Sequence, residues 1–294
     1  MSEFKDKVVV ITGAGGGLGK AHALEFARRG ARVVVNDLGG SADGTGESDM
    51  ADQVVAEIEA AGGTAIANKA SVATHAAAKS IIDDAVSAFG TVDILVNNAG
   101  ILRDKSFKKM SLEDWDIVMQ VHLNGTAYVT HAAWPIMYEK NYGRIVFTSS
   151  GSGIFGNFGQ SNYGAAKMGM VGLMNVLEKE GRSKNVRVNT LAPAAATRLT
   201  NTVPGRDEDL DNPDPIRHPK LVTPAVLFMC SEDAPTGRII NAGNGRFFAS
   251  AVFSNQPLEL GPDVTYEDLL EKKDQLLDLS AAFEGSAYRR PAAS

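Results

Sequence analysis

Apolar, mostly β-branched runs alternate along the chain with longer segments of helical spacing. Val8, Val9, Val10 and Ile11 stand together without polar alternation, and the run stops at Gly13. Such a run reads as a strand buried on both faces, as in a parallel sheet. The next segment, KAHALEFARRG, carries Ala21, Leu24, Ala27 and Arg28 at helical spacing and ends at Gly30. ARVVVND then reads as a second strand, which completes a βαβ unit.

The alternation continues to about residue 243. ADQVVAEIEAAGG and AAAKSIIDDAVSAFG read as helices, TAIANKA and VDILVNNAG as strands. SLEDWDIVMQVHLNGTAYVTHAAWPIMYEK reads as one long helix opening on a Ser–x–x–Asp cap pattern. GRIVFTSS is a strand, NYGAAKMGMVGLMNVLEKEG a helix, VRVNTLAP a strand, LVTPAVLFMCSE a helix and RIINAGN the last core strand. Strands alternating with helices predict an α/β fold: a three-layer, doubly wound Rossmann parallel sheet in a single domain.

Two segments break the rhythm. LGGSADGTGESDMADQ is rich in Gly and Asp and reads as a surface loop, without the spacing of a calcium loop. TNTVPGRDEDLDNPDPIRHPK reads as an irregular segment before the last core helix. The expected organisation is a nucleotide-binding domain over 1–246 and a C-terminal extension over 247–294. Within that extension, YEDLLEKKDQLLDLSAAF reads as a helix that docks on the same domain or on a partner subunit.

Composition narrows the function classes. A net charge of −6 over 294 residues argues against nucleic acid as the main partner. Cys230 is the only cysteine, so no intrachain disulfide forms and a reducing compartment fits. No apolar run reaches about 18 residues, so no membrane span is expected. The first residues lack the apolar core of a signal peptide, and RRPAAS carries no retention or peroxisomal address; the expectation is a cytoplasmic protein.

Chemistry enters at VITGAGGGLGKA, between the first strand and the first helix. Gly13 allows a tight exit from the strand. Gly17 and Gly19 let a pyrophosphate and the sheet approach backbone that carries no Cβ. The helix start offers open N–H groups to a phosphate. Asp37 ends the second strand, where a carboxylate accepts hydrogen bonds from the adenosine ribose and repels a 2′-phosphate. The pair points to NAD.

Tyr163 and Lys167 lie one helical turn apart in SNYGAAK, and Ser150 precedes Tyr163 by thirteen positions. A phenol with an ordinary pKa of about 10 is a poor base at neutral pH. An ammonium on the same helix face favours the phenolate. Tyr163 then serves as base in alcohol oxidation and acid in ketone reduction, with Ser150 steadying the substrate oxygen.

The T-G-x-x-x-G-x-G spacing, NNAG at 97–100 and the Ser150–Tyr163–Lys167 spacing together resemble the short-chain dehydrogenase/reductase family over residues ~5–245. Within it, VVVNDLGG, NNAGILRDKSF and EGRSKNVRVNTLAP look like the (3R)-hydroxyacyl-CoA dehydrogenase branch, which oxidises its thioesters with NAD. The resemblance implies catalytic Ser150, Tyr163 and Lys167. It implies a cofactor set of Gly13, Gly17, Leu18, Gly19, Asp37, Ser71, Val72, Asn97, Asn98, Ala99, Gly100, Tyr163, Lys167, Pro193 and Thr197, and no metal. Lys167 would also hold the nicotinamide ribose, Ser71 and Val72 the adenine side, and Thr197 the nicotinamide amide. A homodimer or homotetramer is implied as well.

Three departures from the family pattern stand out. Ala70-Ser71-Val72 replaces the usual Asp-Val. Pro193-Ala194 replaces Pro-Gly, so the loop there follows a different path. His122 stands where many members carry a relay asparagine, and Asn124 lies about 200° away on an ideal helix. His122 either holds a relay water or is a hydrogen-bonded core histidine. His22, His75, His131 and His218 show no metal-ligand spacing with Cys230.

The substrate is expected to be a small molecule, an acyl-CoA or a hydrophobic secondary alcohol such as a steroid. Leu199, Val203 and Leu210 would line its pocket. Arg198, Arg206, Arg217 and Lys220, or Lys105, Lys108 and Lys109, would meet CoA phosphates, or form a solvated rim with Asp207, Glu208, Asp209, Asp211 and Asp214.

Overall fold

The computed structural model describes residues 3–46, 48–202, 208–210 and 213–285. Val203, Arg206, Asp207 and Asp211 lie outside the described residues.

One unit spans residues 1–248. Its elements follow the expected alternation: β1 (Val8–Thr12), α1 (Gly17–Arg28), β2 (Arg32–Asn36), α2 (Met50–Ala60), β3 (Thr64–Asn68), α3 (His75–Phe89) and β4 (Ile94–Asn97). The second half holds α4 (Leu112–Met119), α5 (Gly125–Glu139), β5 (Gly143–Thr148), α6 (Gly151–Phe155), α7 (Ser161–Gly181), β6 (Val186–Ala194), α8 (Thr223–Cys230), β7 (Ile239–Gly243) and β8 (Arg246–Ser250).

The strands form one eight-stranded sheet in the order β3-β2-β1-β4-β5-β6-β7-β8. Pairing is parallel from β3 through β7. The β7–β8 connection is the two-residue Asn244–Gly245 turn, with φ of 53° and 70°, the geometry of a tight hairpin. β8 is the strand the apolar pattern does not announce, because its residues are largely exposed.

Side chains of β1 point alternately into two cores. Val9 and Ile11 pack with Phe26 of α1 and Ile58 of α2, while Val8 and Val10 pack with Ile81 of α3 and Met170 of α7. All four are fully buried, each worth roughly 2 kcal/mol of transfer free energy. This explains the unbroken apolar run. The stripe expected on α1 holds in part: Ala27 is buried and Leu24 packs against the core, while the most buried face also carries His22, Ala23 and Phe26, with His22 Nδ1 hydrogen-bonded to Thr223 Oγ1 at 2.9 Å.

The expected single long helix is interrupted. Ser111 caps α4 by accepting from Asp114 N at 3.1 Å. After Met119 the chain makes a π-helical turn over Gln120–Asn124 before α5 resumes. Tertiary bonds hold this wide turn: Gln120 Nε2 donates to Ala73 O at 2.6 Å, and the His122 ring engages Ile101. Asn124 turns back to Gln120 Oε1, at 2.8 Å. Among the described residues no helix is long and apolar enough to cross a membrane.

A second unit spans 249–294. In it a short antiparallel pair, β9 (Phe253–Ser254) and β10 (Phe283–Glu284), accompanies α9 (Tyr266–Glu271) and α10 (Lys273–Leu277). Thr265 and Asp268 form a capping box for α9. The expected continuous helix breaks at Lys272, and Leu269, Leu270, Leu276, Leu277 and Leu279 are exposed. Short helices without a buried face have little to hold them in one rod.

Candidate active site

The order of the sheet reverses direction between β1 and β4, which opens a crevice at the carboxyl ends of these strands. The glycine loop fills its floor. Gly13 has φ 64°, and a Cβ there would lie 2.7 Å from Ala99 Cα. A Cβ on Gly19 would fall 2.2 Å from Gly13 O, so this glycine serves close packing of helix on strand rather than the crevice surface. Gly17 has φ 51°, and Gly16 at the N-cap supplies no side-chain cap, which leaves the first-turn N–H groups open.

Two side chains brace this loop. Asn98 Nδ2 donates to Thr12 O and Gly13 O, at 3.1 and 2.9 Å. Asp37, at the end of β2, accepts from Gly15 N through Oδ2 and from Gly39 N through Oδ1, both at 2.7 Å. The resulting cleft is lined by Gly13, Gly17, Leu18, Asp37, Ser71, Val72, Asn98, Ala99, Gly100 and Thr197. Residues 38–44 roof it, with Ala42 O accepting from Leu102 N. The uncapped N–H groups at the start of α1 suit a phosphate and the Asp37 carboxylate suits a ribose, while a Cβ at Gly15 would crowd Asp37 at 2.9 Å.

Asn97 departs from its expected place. It is buried at the end of β4, and its amide donates to Thr130 Oγ1 of α5 at 3.1 Å, away from the cleft. Strand alternation turns Asn98, not Asn97, to the glycine loop.

A second cleft, of about 350 Å³, adjoins the first and shares Leu18, Asn98, Gly100, Thr197 and Leu199 with it. Ser150, Tyr163, Lys167 and Pro193 line it. Ser150 follows β5 and caps α6, its Oγ accepting from Ser152 N at 3.1 Å. Tyr163 and Lys167 sit one turn apart on α7, with Lys167 Nζ 5.3 Å from the phenol ring centroid. Lys167 Nζ donates to Thr148 O at 2.5 Å. β6 runs on through Ala194, paired with Gly243, where a Cβ would strike Ala194 O at 2.2 Å. The alanine replaces glycine without strain because the glycine sits opposite.

The electrostatics differ from the simple expectation. Burial pushes the Tyr163 phenol up to about 12; a hydrogen bond with Ser150 pulls it down and the Asp104 charge pushes it up. Burial also lowers the Lys167 ammonium to about 7. In this state the phenol is protonated at neutral pH, and the cation meant to draw off its proton is itself close to discharge. Desolvation outweighs the pairwise attraction that the spacing implies.

His122 is fully buried beneath this cleft. Its Nε2 lies 2.7 Å from Ile101 O and 3.0 Å from Ile101 N, and its ring stands edge-on to Tyr163 at 5.1 Å between centroids. Gly100 makes the room, since a Cβ there would sit 2.2 Å from His122 Cε1. Burial and the Lys167 charge hold the imidazole well below its ordinary pKa, so it is neutral. Nε2 ties it into the core, and among the described residues its Nδ1 has no partner.

Of the expected rim residues, Arg217 pairs with Glu208 at 2.8 Å and Lys105 lies 3.7 Å from Asp114. Lys108, Lys109 and Lys220 are exposed, and Leu199 lines both clefts. Gln160 lines the second cleft unannounced. Its Nε2 donates to Asp104 Oδ2 at 2.6 Å and its Oε1 accepts from Asn157 at 3.0 Å. Its only sequence signal is its place one residue before α7.

Comparison with known proteins agrees with this geometry. The short chain dehydrogenase family profile matches residues 7–209. The chain is 54% identical over 245 residues to peroxisomal multifunctional enzyme A of Dictyostelium discoideum, covering 82% of this chain but only 54% of that protein. It is 48% identical over 286 residues to a putative short-chain type dehydrogenase/reductase of Mycobacterium tuberculosis, covering 96% of this chain and 98% of the relative. A crystal structure of a short chain dehydrogenase from Mycobacterium avium superposes with a TM-score of 0.82 at 38% identity, over 94% of this chain and 96% of that one. With a glycine-floored crevice, a Ser–Tyr–Lys cleft beside it and these matches along its length, the chain belongs to the short chain dehydrogenase family of oxidoreductases.

Proposed function

We propose that the protein oxidises a secondary alcohol to a ketone with NAD, and that the alcohol is a (3R)-hydroxyacyl-CoA or a similarly bulky substrate. The observation that carries this reading is the convergence of Ser150, Tyr163 and Lys167 on a cleft that shares a wall with the glycine-floored crevice. The likeness to multifunctional enzymes supports the acyl-CoA class. Asp37 beside the glycine loop supports NAD over NADP, because its carboxylate opposes a 2′-phosphate.

NAD would lie along Gly13, Gly17, Leu18, Asp37, Ser71, Val72, Asn98, Ala99, Gly100 and Thr197, and it supplies the hydride acceptor. The residues supply the proton chemistry. Ser150 holds the substrate oxygen and Tyr163 takes its proton as the carbinol hydrogen leaves as hydride. Lys167, with Nζ anchored on Thr148 O, tunes the phenol and holds the nicotinamide ribose. The resting protonated phenol suits the reverse direction, in which Tyr163 donates to the ketone oxygen. A homodimer or homotetramer in the cytoplasm, with residues 247–294 as an extension of the domain over 1–246, completes the proposal.

The test is NADH absorbance with (3R)- and (3S)-hydroxyacyl-CoAs of graded chain length beside a panel of hydroxysteroids. Turnover of (3R)-thioesters is expected. Turnover of steroids alone moves the assignment to a hydroxysteroid dehydrogenase, and no turnover of any secondary alcohol refutes the reading.

A further inference from the structure

We propose that Arg198 is a ligand of the cofactor's bridging diphosphate, a clasp laid from the substrate-side segment over the glycine loop. The inference rests on the dinucleotide reading above. The sequence offers Arg198 to CoA phosphates, but the structure places it on the wall of the first cleft and not of the second. There, Asp37 and Arg198 are the only charged side chains among the described lining residues.

The orientation of the guanidinium carries the argument. Nη1 donates to Gly40 O at 3.2 Å and lies 3.5 Å from Met50 Sδ, which ties the group to the roof segment. The opposite edge, Nε with Nη2, faces the glycine loop. A Cβ added to Gly16 would lie 3.7 Å from Nη2 and 3.9 Å from Nε, so this edge stands beside the start of α1 at van der Waals distance, next to the Met50 methyl. Among the described residues neither Nε nor Nη2 has a hydrogen-bond partner, and no carboxylate pairs with the cation. That two-donor fork is the edge that binds two oxygens of one anion.

The surroundings favour a phosphate over a carboxylate side chain. The N–H groups at the start of α1 carry no side-chain cap and prefer negative charge. Asp37 does not compete for the arginine, because both its oxygens already accept from Gly15 and Gly39 N–H. Thr197, the preceding residue, lies 3.5 Å from the position a Cβ would take on Gly17, which keeps the backbone of this segment over the loop.

The test is titration calorimetry of NAD, NADP, ADP-ribose and adenosine with the parent, Arg198→Gln and Arg198→Lys, beside melting temperatures. The expected result is that Arg198→Gln weakens NAD and ADP-ribose alike by roughly tenfold or more, leaves adenosine unchanged, and is partly rescued by lysine. A loss confined to NADP would assign Arg198 to a 2′-phosphate and overturn the proposal. An equal loss for adenosine would make Arg198 a purely structural tie of the roof and overturn it too. Unchanged NAD affinity in both variants refutes the clasp while leaving the dinucleotide reading intact; failure of the parent to bind NAD refutes that reading itself. Should Arg198→Gln fail to fold, the lysine variant decides alone, with an intermediate loss on NAD and none on adenosine.

Discussion

The two adjoining clefts are built from different materials. The first is floored by main chain: glycines without Cβ atoms, open N–H groups, and two side chains, Asn98 and Asp37, whose work is to hold that backbone. The second is lined by groups that titrate or hydrogen-bond through side chains: Ser150, Tyr163, Lys167 and Gln160. Main-chain recognition is limited by space, and its failures are steric. Side-chain chemistry is limited by protonation, and burial decides it. The same fold thus places a geometrically exacting site beside an electrostatically exacting one.

Substitutions that act on one cleft and spare the other test this contrast. Tyr163→Phe has the largest expected effect: turnover falls by about 10³-fold or more, the range of a lost acid–base group, while calorimetric NAD affinity stays within about twofold. Near-normal turnover would remove Tyr163 from its role. Gly19→Ala should do the reverse. Its Cβ would fall 2.2 Å from Gly13 O and 2.7 Å from Asn98 Nδ2, so the glycine loop must shift. We expect a loss of about 1–3 kcal/mol in stability and a marked loss of NAD affinity, with turnover at saturating NAD largely kept. An unshifted melting temperature with parent-like affinity would refute the packing argument.

Lys167→Met sharpens the electrostatic side. Burial lowers the folded-state pKa of Lys167 to about 7, below its unfolded value. Below pH 7 both states are protonated, and the cost of burying the cation is fully present. Between pH 7 and the unfolded pKa the unfolded state binds more protons, so this group makes stability rise by about 1.4 kcal/mol per pH unit. The methionine variant should therefore melt higher than the parent at pH 6, and the gap should close as pH rises through 7 to 9. A gap independent of pH would show that Lys167 is not held down by burial. The smallest effect is expected from Asp104→Asn. Removing a charge that pushes the Tyr163 phenol up should move its titration to lower pH, read by ultraviolet difference absorbance; no movement would uncouple Asp104 from the site.

Much of this contrast is legible in the sequence, and unequally so. The parallel sheet follows from unbroken apolar runs, because strands covered on both faces need no polar alternation. Ser150, Tyr163 and Lys167 converge as their spacing implies, since one helix and one strand end fix all three. The π turn at Gln120–Asn124 leaves no periodic trace, because contacts with Ala73 and Ile101 sustain it. Asn97 and Asn98 look equivalent in NNAG; only the pleat of β4 tells them apart. The depressed Lys167 and raised Tyr163 depend on burial, which spacing alone does not report.

Leu18, Asn98, Gly100, Thr197 and Leu199 line both clefts at once. A molecule lying in the first therefore becomes part of the surface offered to a molecule entering the second. Under the proposed function, a dinucleotide in the first cleft would complete the pocket for the alcohol, so alcohol affinity is expected to be higher in the binary complex than in the free protein.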